Sequence, residues 1–354
     1  MDYRANFGTV LGLMQRSAQV MSFLLPGHEM QEAQNKLEAF RLFAYVDQEL
    51  RIPTERLLPL DALVRRAFDL GHHERIFAIE GVGHYYAGLA ASPVTGLLQD
   101  RQLPDCAMVS LHAGMGTSFA GTMLSRLGAD PSKAALRDGL LRFFDLCRDN
   151  ARPGWYENAI EPLGLSVRTL HPHLLARAGA AAGEIDIEAQ RLYWHGVGRS
   201  LYFVPMNFMT FGGSHERALR TAIDEAPTVE DRRNAVAGLV WAVTLVNLCH
   251  PRVLQSLLPA CNSIRMPGAV KNGIVSALIV WKHMVPEDTE FLPLYLQHAS
   301  GSSMDGGLWN DYVVDPAREA FAAAFPALAK EDRIASVFQF QESFVPPVTK
   351  ASHA

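Results

Sequence analysis

Arg191–Asn207 reads RLYWHGVGRSLYFVPMN. A histidine, two glycines one residue apart, an arginine and several aromatics share about two helical turns and their exit. The same small-residue pattern stands earlier in Ile79–Gly88, IEGVGHYYAG, and in His112–Gly121, HAGMGTSFAG. Superposing the copies on their glycines aligns Gly81, Gly114 and Gly196, then Gly83, Gly116 and Gly198. Glu80, Ala113 and His195 then share one position, and His84, Thr117 and Arg199 another. A glycine inside a helix costs about 1 kcal/mol against alanine. Repeated use of it implies that two helix backbones approach closely, or that a ligand needs the space.

The rest of the chain extends this helical reading. Apolar spacing and Pro/Gly stops predict helices over Phe7–Leu25, Glu29–Leu50, Ala62–Leu70, Glu74–Ala91, Cys106–Leu127 and Leu136–Cys147. A segment over Tyr156–Leu170 is interrupted at Pro162, where a kink is expected. Further helices follow over Leu174–Ala182, Asp186–Val204, His215–Ala226, Glu230–Cys249, Pro251–Leu258, Ala269–Val285, Asp288–His298 and Asp315–Phe325. Asp61 is expected to cap the Ala62–Leu70 helix. Strand-like alternation occurs at Val337–Phe344, which reads as a helix or an extended tail.

Small-residue helices recur near 79–90, 111–124, 156–170, 192–204, 235–248 and 270–284, at a period of roughly 32–45 residues that suits two-helix solenoid units. The expected fold is therefore all-α: a helical-repeat, α-solenoid-like array of about six helix-pair units, for which tandem duplication of a three-unit block is one route. Residues 1–60 are assigned to N-terminal helices, 61–300 to the repeat domain, and 301–354 to a C-terminal loop, helix and tail.

Composition narrows the function classes. Among 354 residues, 49% are hydrophobic and 19% charged, which fits a well-buried globular chain. A net charge of −5 and the absence of any basic run longer than two residues argue against nucleic acid as a partner. Four cysteines without C-x-x-C spacing read as buried thiols in a reducing cytosol. The N-terminal stretch does not read as a signal peptide, and the apolar run Ala235–Cys249 is too short to span a membrane. A cytoplasmic location is expected.

Phe77–Gly83 (FAIEGVG), Met108–Gly116 (MVSLHAGMG) and His195–Val204 (HGVGRSLYFV) resemble, in order, the motifs of a family of unknown function encoded in enediyne and related polyketide biosynthetic clusters. That family similarly carries F-x-x-E-G, V-H-x-G-x-G and G-x-G-R-S-L-W-F-V elements. Arg232–Val246 resembles the helix that follows them. The likeness spans about residues 74–285 and is most specific at Gly196–Val204, although Tyr202 stands where the family has Trp and Asn234-Ala235 where it has a Trp-containing pair. The N-terminal 50 residues show no clear match. The resemblance implies a role in specialised-metabolite biosynthesis, with no settled reaction to carry over.

Candidate chemistry gathers beside the glycines. Glu80 and His84 are four apart and share a helix face, as do His195 and Arg199. With units stacked in register, Glu80, His84, His112 and His195 would converge on one groove. Carboxylate and imidazole together suit acid–base work, or an Fe, Zn or Mn site, although neither H-E-x-x-H nor paired E-x-x-H is present. Arg199 has the donor fork to clamp a carboxylate or phosphate, or to pair structurally with Glu80. His195, Arg199 and Glu80 are the catalytic candidates. His84, His112, Tyr85, Trp194, Tyr202 and Asn207 are the ligand-binding ones. The metal and cofactor stay unassigned. His72-His73 and His171-Pro172-His173 lack a third ligand, and the Gly301–Gly307 loop lacks the context of a serine nucleophile. Met206–Gly213 is apolar for a loop, expected to line a pocket or to contact a neighbouring chain in a homodimer. Three functions remain open: binding or transforming a hydrophobic metabolite, a non-catalytic scaffold for biosynthetic partner proteins, or a metal- or haem-dependent oxidative enzyme.

Overall fold

The computed structural model of the chain describes residues 27–48, 50, 58–89, 95–100, 102–204, 207, 213–297 and 304–342. Every regular element among them is helical. The principal helices are α1 (Gly27–Phe43), α2 (Leu60–Phe68), α3 (Glu74–Leu89), α4 (Met108–Leu127), α5 (Lys133–Asn150), α6 (Pro162–Leu170) and α7 (Leu175–Ile185). They continue as α8 (Ile187–Phe203), α9 (Ser214–Glu225), α10 (Val229–Val246), α11 (Pro251–Ser263), α12 (Pro267–Met284) and α13 (Asp315–Ala322). Among the described residues no helix is long and apolar enough to cross a membrane.

Local sequence accounts for the boundaries. Asp186 starts α8 by accepting the Glu188 N–H at 3.0 Å, and Thr228 starts α10 by accepting that of Asp231 at 3.1 Å. Pro162 divides the expected Tyr156–Leu170 segment into a turn at Tyr156–Ile160 and α6, leaving Glu161 at the joint. Asp61 does not cap α2. The helix begins at Leu60, whose side chain is buried, and Asp61 inside it pairs with Arg65 at 2.6 Å. The Gly301–Gly307 loop is helical from Met304 onward. Ile334–Phe338 forms a 3-10 turn, not a strand. The expected Phe7–Leu25 helix, and residues 206 and 208–212 of the apolar loop, lie outside the described residues.

Helices α3, α4, α6, α8, α10 and α12 stand side by side, and α5, α7, α9 and α11 return the chain between them. Gln190 bonds Asp231 near the starts of α8 and α10, and Asn247, just past the end of α10, bonds Tyr202 in the last turn of α8, so these two run parallel.

The glycine pairs explain how the neighbours approach. Gly196 lies against the Glu161 carbonyl at the start of α6, and Gly198 against the Ala235 carbonyl of α10. Gly114 likewise lies against Glu80 in α3, and Gly116 against Ala159. Residues two apart on a helix point about 200° apart. The first glycine of each pair therefore admits the preceding element and the second the following one. An added Cβ would collide with backbone at all four positions. These glycines serve helix contact; they do not open ligand space.

The row curls until its ends meet. Arg75 at the start of α3 donates to the Met284 carbonyl at the end of α12 at 3.2 Å, and His73 Nε2 sits 2.9 Å from the Leu245 carbonyl of α10. One contiguous apolar core runs from Ala39 to Phe338.

Candidate functional site

Helices α1, α3, α4, α6, α8 and α10 line a cavity of about 150 Å³. Phe40, Phe43, Phe77, Phe203 and Trp241 supply aromatic wall, with Phe40 edge-on to Phe203 at 5.3 Å between ring centres. Glu80 and Arg199 form its ionic corner, and Thr117, Thr169 and Ser200 bring hydroxyls to it. Thr117 and Arg199, which align when the G-x-G stretches are superposed, both line the cavity.

The corner is the end of a buried chain of charges. Arg199 Nη2 donates to Glu80 Oε1 at 2.5 Å, and Nη1 to Glu161 Oε2 at 3.1 Å. Glu161 Oε1 in turn meets His195 Nδ1 at 3.0 Å. The guanidinium also lies over Trp241, 5.3 Å from the ring centre. Burial alone would raise the Glu161 carboxyl, but the Arg199 charge and the hydrogen bonds from His195 and Arg199 outweigh it and hold it below the usual carboxylate range. Glu80 goes the other way: burial dominates over the Arg199 attraction, and its carboxyl lies above the ordinary value. For Arg199, burial disfavours the cation, yet two carboxylates overcome it and bind its proton more tightly than usual.

His195 stands behind the cavity wall. Its ring is edge-on to Trp241 at 6.0 Å and to Phe338 at 5.6 Å, and its Nε2 has no hydrogen-bond partner among the described residues. Of the three catalytic candidates, Glu80 and Arg199 therefore line the cavity, while His195 reaches it only through Glu161.

The remaining candidates disperse. His112 is fully buried and engaged at both nitrogens: Nδ1 is 2.8 Å from the Met108 carbonyl, and Nε2 accepts the Arg152 N–H at 3.0 Å. That pattern fixes it as a neutral ring, and burial pushes it down to about 3. The expected convergence of His112 with Glu80 and His195 does not form, because the His112 side chain turns to its own helix and to Trp155. His84 packs beside Phe43 at 5.2 Å, and Tyr85 is buried; neither lines the cavity. Trp194 is buried against Gly179 of α7 and edge-on to Tyr193.

Tyr202 and Asn207 belong to a second buried network. Lys36 bonds Glu32 at 2.9 Å and the Asn207 carbonyl at 2.9 Å, and its ammonium sits 3.9 Å from the Tyr202 ring centre. His215 closes on Glu32 at 3.0 Å. Burial would raise Glu32, but Lys36 and His215 hold it down at about 2.

Sequence reasoning missed Glu161, on which the first network turns, and also Trp241, Glu32 and Lys36. A carboxylate flanked by apolar residues in NAIEPLGL (Asn158–Leu165) was the available signal for Glu161, since an unpaired charge there would be costly. Among the described residues no group of three His, Cys, Asp or Glu side chains is placed to hold a metal ion. No protein-family model, curated protein or solved structure matches the chain.

Proposed function

We propose that this protein binds a small hydrophobic molecule in the aromatic-lined cavity, in service of specialised-metabolite chemistry of the polyketide or enediyne-like kind. The cavity wall carries the proposal: aromatic rings on several helices surround about 150 Å³ and leave a single ionic corner, Glu80 with Arg199. Ligand sites have this composition, largely apolar with few fixed polar groups. An apolar cavity of similar size in another protein holds a single benzene-sized guest.

The biosynthetic setting comes from the motif resemblance at Phe77–Gly83, Met108–Gly116 and His195–Val204. The order of the glycine contacts, first backward and second forward along the chain, supports a helical-repeat origin for α4 and α8. It equally favours the alternative of a rigid repeat scaffold for partner proteins. The metal- or haem-dependent alternative gains no support from the cavity, which no described His, Cys, Tyr or Met lines.

Titration with single-ring aromatic compounds, read by thermal melting, tests the proposal. The melting temperature of the wild type is expected to rise with ligand concentration. In Thr117→Phe, whose added ring would take the space that Thr117 lines, the rise is expected to vanish. A wild type indifferent to every compound would sink cavity binding and leave the scaffold reading standing.

A further inference from the structure

Resting on the reading that the cavity holds a ligand, we propose that this ligand is a hydrophobic ammonium, a protonated amine or quaternary nitrogen on a body about the size of one aromatic ring. Charge balance at the corner is the first support. Arg199 is shared between Glu80 and Glu161. Glu161 also has His195, whereas Glu80, the carboxylate that lines the cavity, has half of one guanidinium and no other described cation, and no described lysine lines the cavity. Arg199 already gives one Nη group to each carboxylate and its face to Trp241. A ligand carboxylate or phosphate would have to displace one of those partners and then sit beside it, like charge against like. The anion clamp that the sequence suggested for Arg199 is thus already occupied from within the chain.

The second support is the supply of acceptors. Glu80 commits only Oε1 to Arg199; no described residue donates to its Oε2, although the side chain lines the cavity. An ammonium placed there is attracted to the carboxylate charge, and one that carries an N–H gains a charge-assisted hydrogen bond as well. The hydroxyls point to the same polarity. Thr117 Oγ1 donates to the Ala113 carbonyl at 2.9 Å, and Ser200 Oγ to that of Val197 at 2.6 Å. Each spends its proton on its own helix, so what remains of these two for a ligand is a lone pair, while the Thr169 hydroxyl can turn to donate or accept. Thr117 and Ser200 thus offer acceptance, which an N–H ligand matches.

The third support is the wall. Phe40, Phe43, Phe77 and Phe203 surround the space with rings whose faces are electron-rich, the environment that attracts an organic cation. Carboxylate and aromatic rings together select an ammonium over a neutral isostere of the same shape.

A matched series decides the matter: phenethylamine and phenyltrimethylammonium as cations, 2-phenylethanol as the neutral isostere and 3-phenylpropionate as the anion. Isothermal calorimetry near neutral pH is expected to rank both cations at least ~10-fold tighter than the alcohol, with the propionate weakest. Glu80→Gln, checked for folding by its melting curve, is expected to bring phenethylamine within about 3-fold of the alcohol. The wild-type ranking is decisive even where that variant fails to fold. Alcohol or propionate binding as tightly as the cations overturns the ammonium assignment and leaves cavity binding intact. Failure of all four compounds to bind removes cavity binding itself, and the ammonium assignment with it.

Discussion

Gly198 and Gly238 meet where α8 crosses α10, and each leaves room for a carbonyl of the facing helix: Ala235 for Gly198, His195 for Gly238. Gly164 and Gly196 repeat the arrangement between α6 and α8, with the carbonyls of Tyr193 and Glu161. Because α8 is gripped this way on opposite faces, His195 and Arg199 are held in register with Glu161 on one side and Trp241 on the other.

Alanine at these crossings should be costly. Gly198→Ala puts a methyl into the Ala235 carbonyl, so α8 and α10 must separate, and a loss of about 2–4 kcal/mol is expected by urea denaturation. Gly121→Ala is the control. Nothing lies within 4 Å of the Cβ it would carry, so it should stabilise by up to about 1 kcal/mol through helix propensity. Equal effects for the two variants would contradict the close-crossing account.

Arg199→Leu should be destabilising in a pH-dependent way. It leaves Glu80 and Glu161 buried with only His195 nearby, and breaking such a buried network costs about 3–5 kcal/mol. Without the guanidinium, burial raises both carboxyls in the folded state. The unfolded chain then ionises first, and the variant loses further stability as pH rises through the ordinary carboxylate range. Wild type, with Glu161 held low, should lack that loss for this residue. Parallel urea-unfolding curves for the two proteins between acid and neutral pH would refute the argument.

Element types were largely legible in the sequence, and the site only partly. Period and stop signals found α3, α4, α8, α10 and α12 because each is a long run with a clear break after it. Aligning the glycine pairs showed that they are equivalent and left close helix approach or ligand space as their use; the facing carbonyls decide for helix approach. What alignment could not supply was which carboxylate each cation meets. Arg199 reaches Glu80 from 119 residues away and Glu161 from 38, and those partners follow from how the row curls, not from local spacing. His112 failed as a site residue for a related reason. Its alignment beside the glycines was sound, but its ring turns back to Met108 and takes the Arg152 N–H.

That arrangement makes His112 a source of acid sensitivity. Its folded-state value lies at about 3, against an ordinary 6.5. Between those values the unfolded chain holds the extra proton. Stability is complete above the ordinary histidine value and falls as pH drops toward 3, by on the order of 4 kcal/mol for this residue. His112→Gln should be less stable near neutrality, yet show a flatter profile over that interval. Urea midpoints across the range check this, and an unchanged slope in the variant would contradict it.

Glu32 and Lys36 supply the sharpest test of what a buried ion pair does in this fold. Both side chains are 1% exposed, and the pair is one turn apart on α1, closed at 2.9 Å. Removing the cation alone, in Lys36→Met, leaves Glu32 buried with only His215 opposite, and a loss of about 3–5 kcal/mol is expected. Removing both charges, in Glu32→Gln with Lys36→Met, takes away the uncompensated carboxylate. The double variant should therefore be more stable than Lys36→Met by at least about 1 kcal/mol. Acid separates the wild type from the double variant. Glu32 in the wild type is held at about 2 against an ordinary 4.5, so its contribution is complete above 4.5 and is lost as pH falls toward 2. The double variant, with no carboxyl at position 32, should escape that loss. Urea denaturation near neutral pH and again near pH 4 reads both effects. Strict additivity of the single variants would show that α1 is held by its apolar face alone and that the ion pair adds nothing.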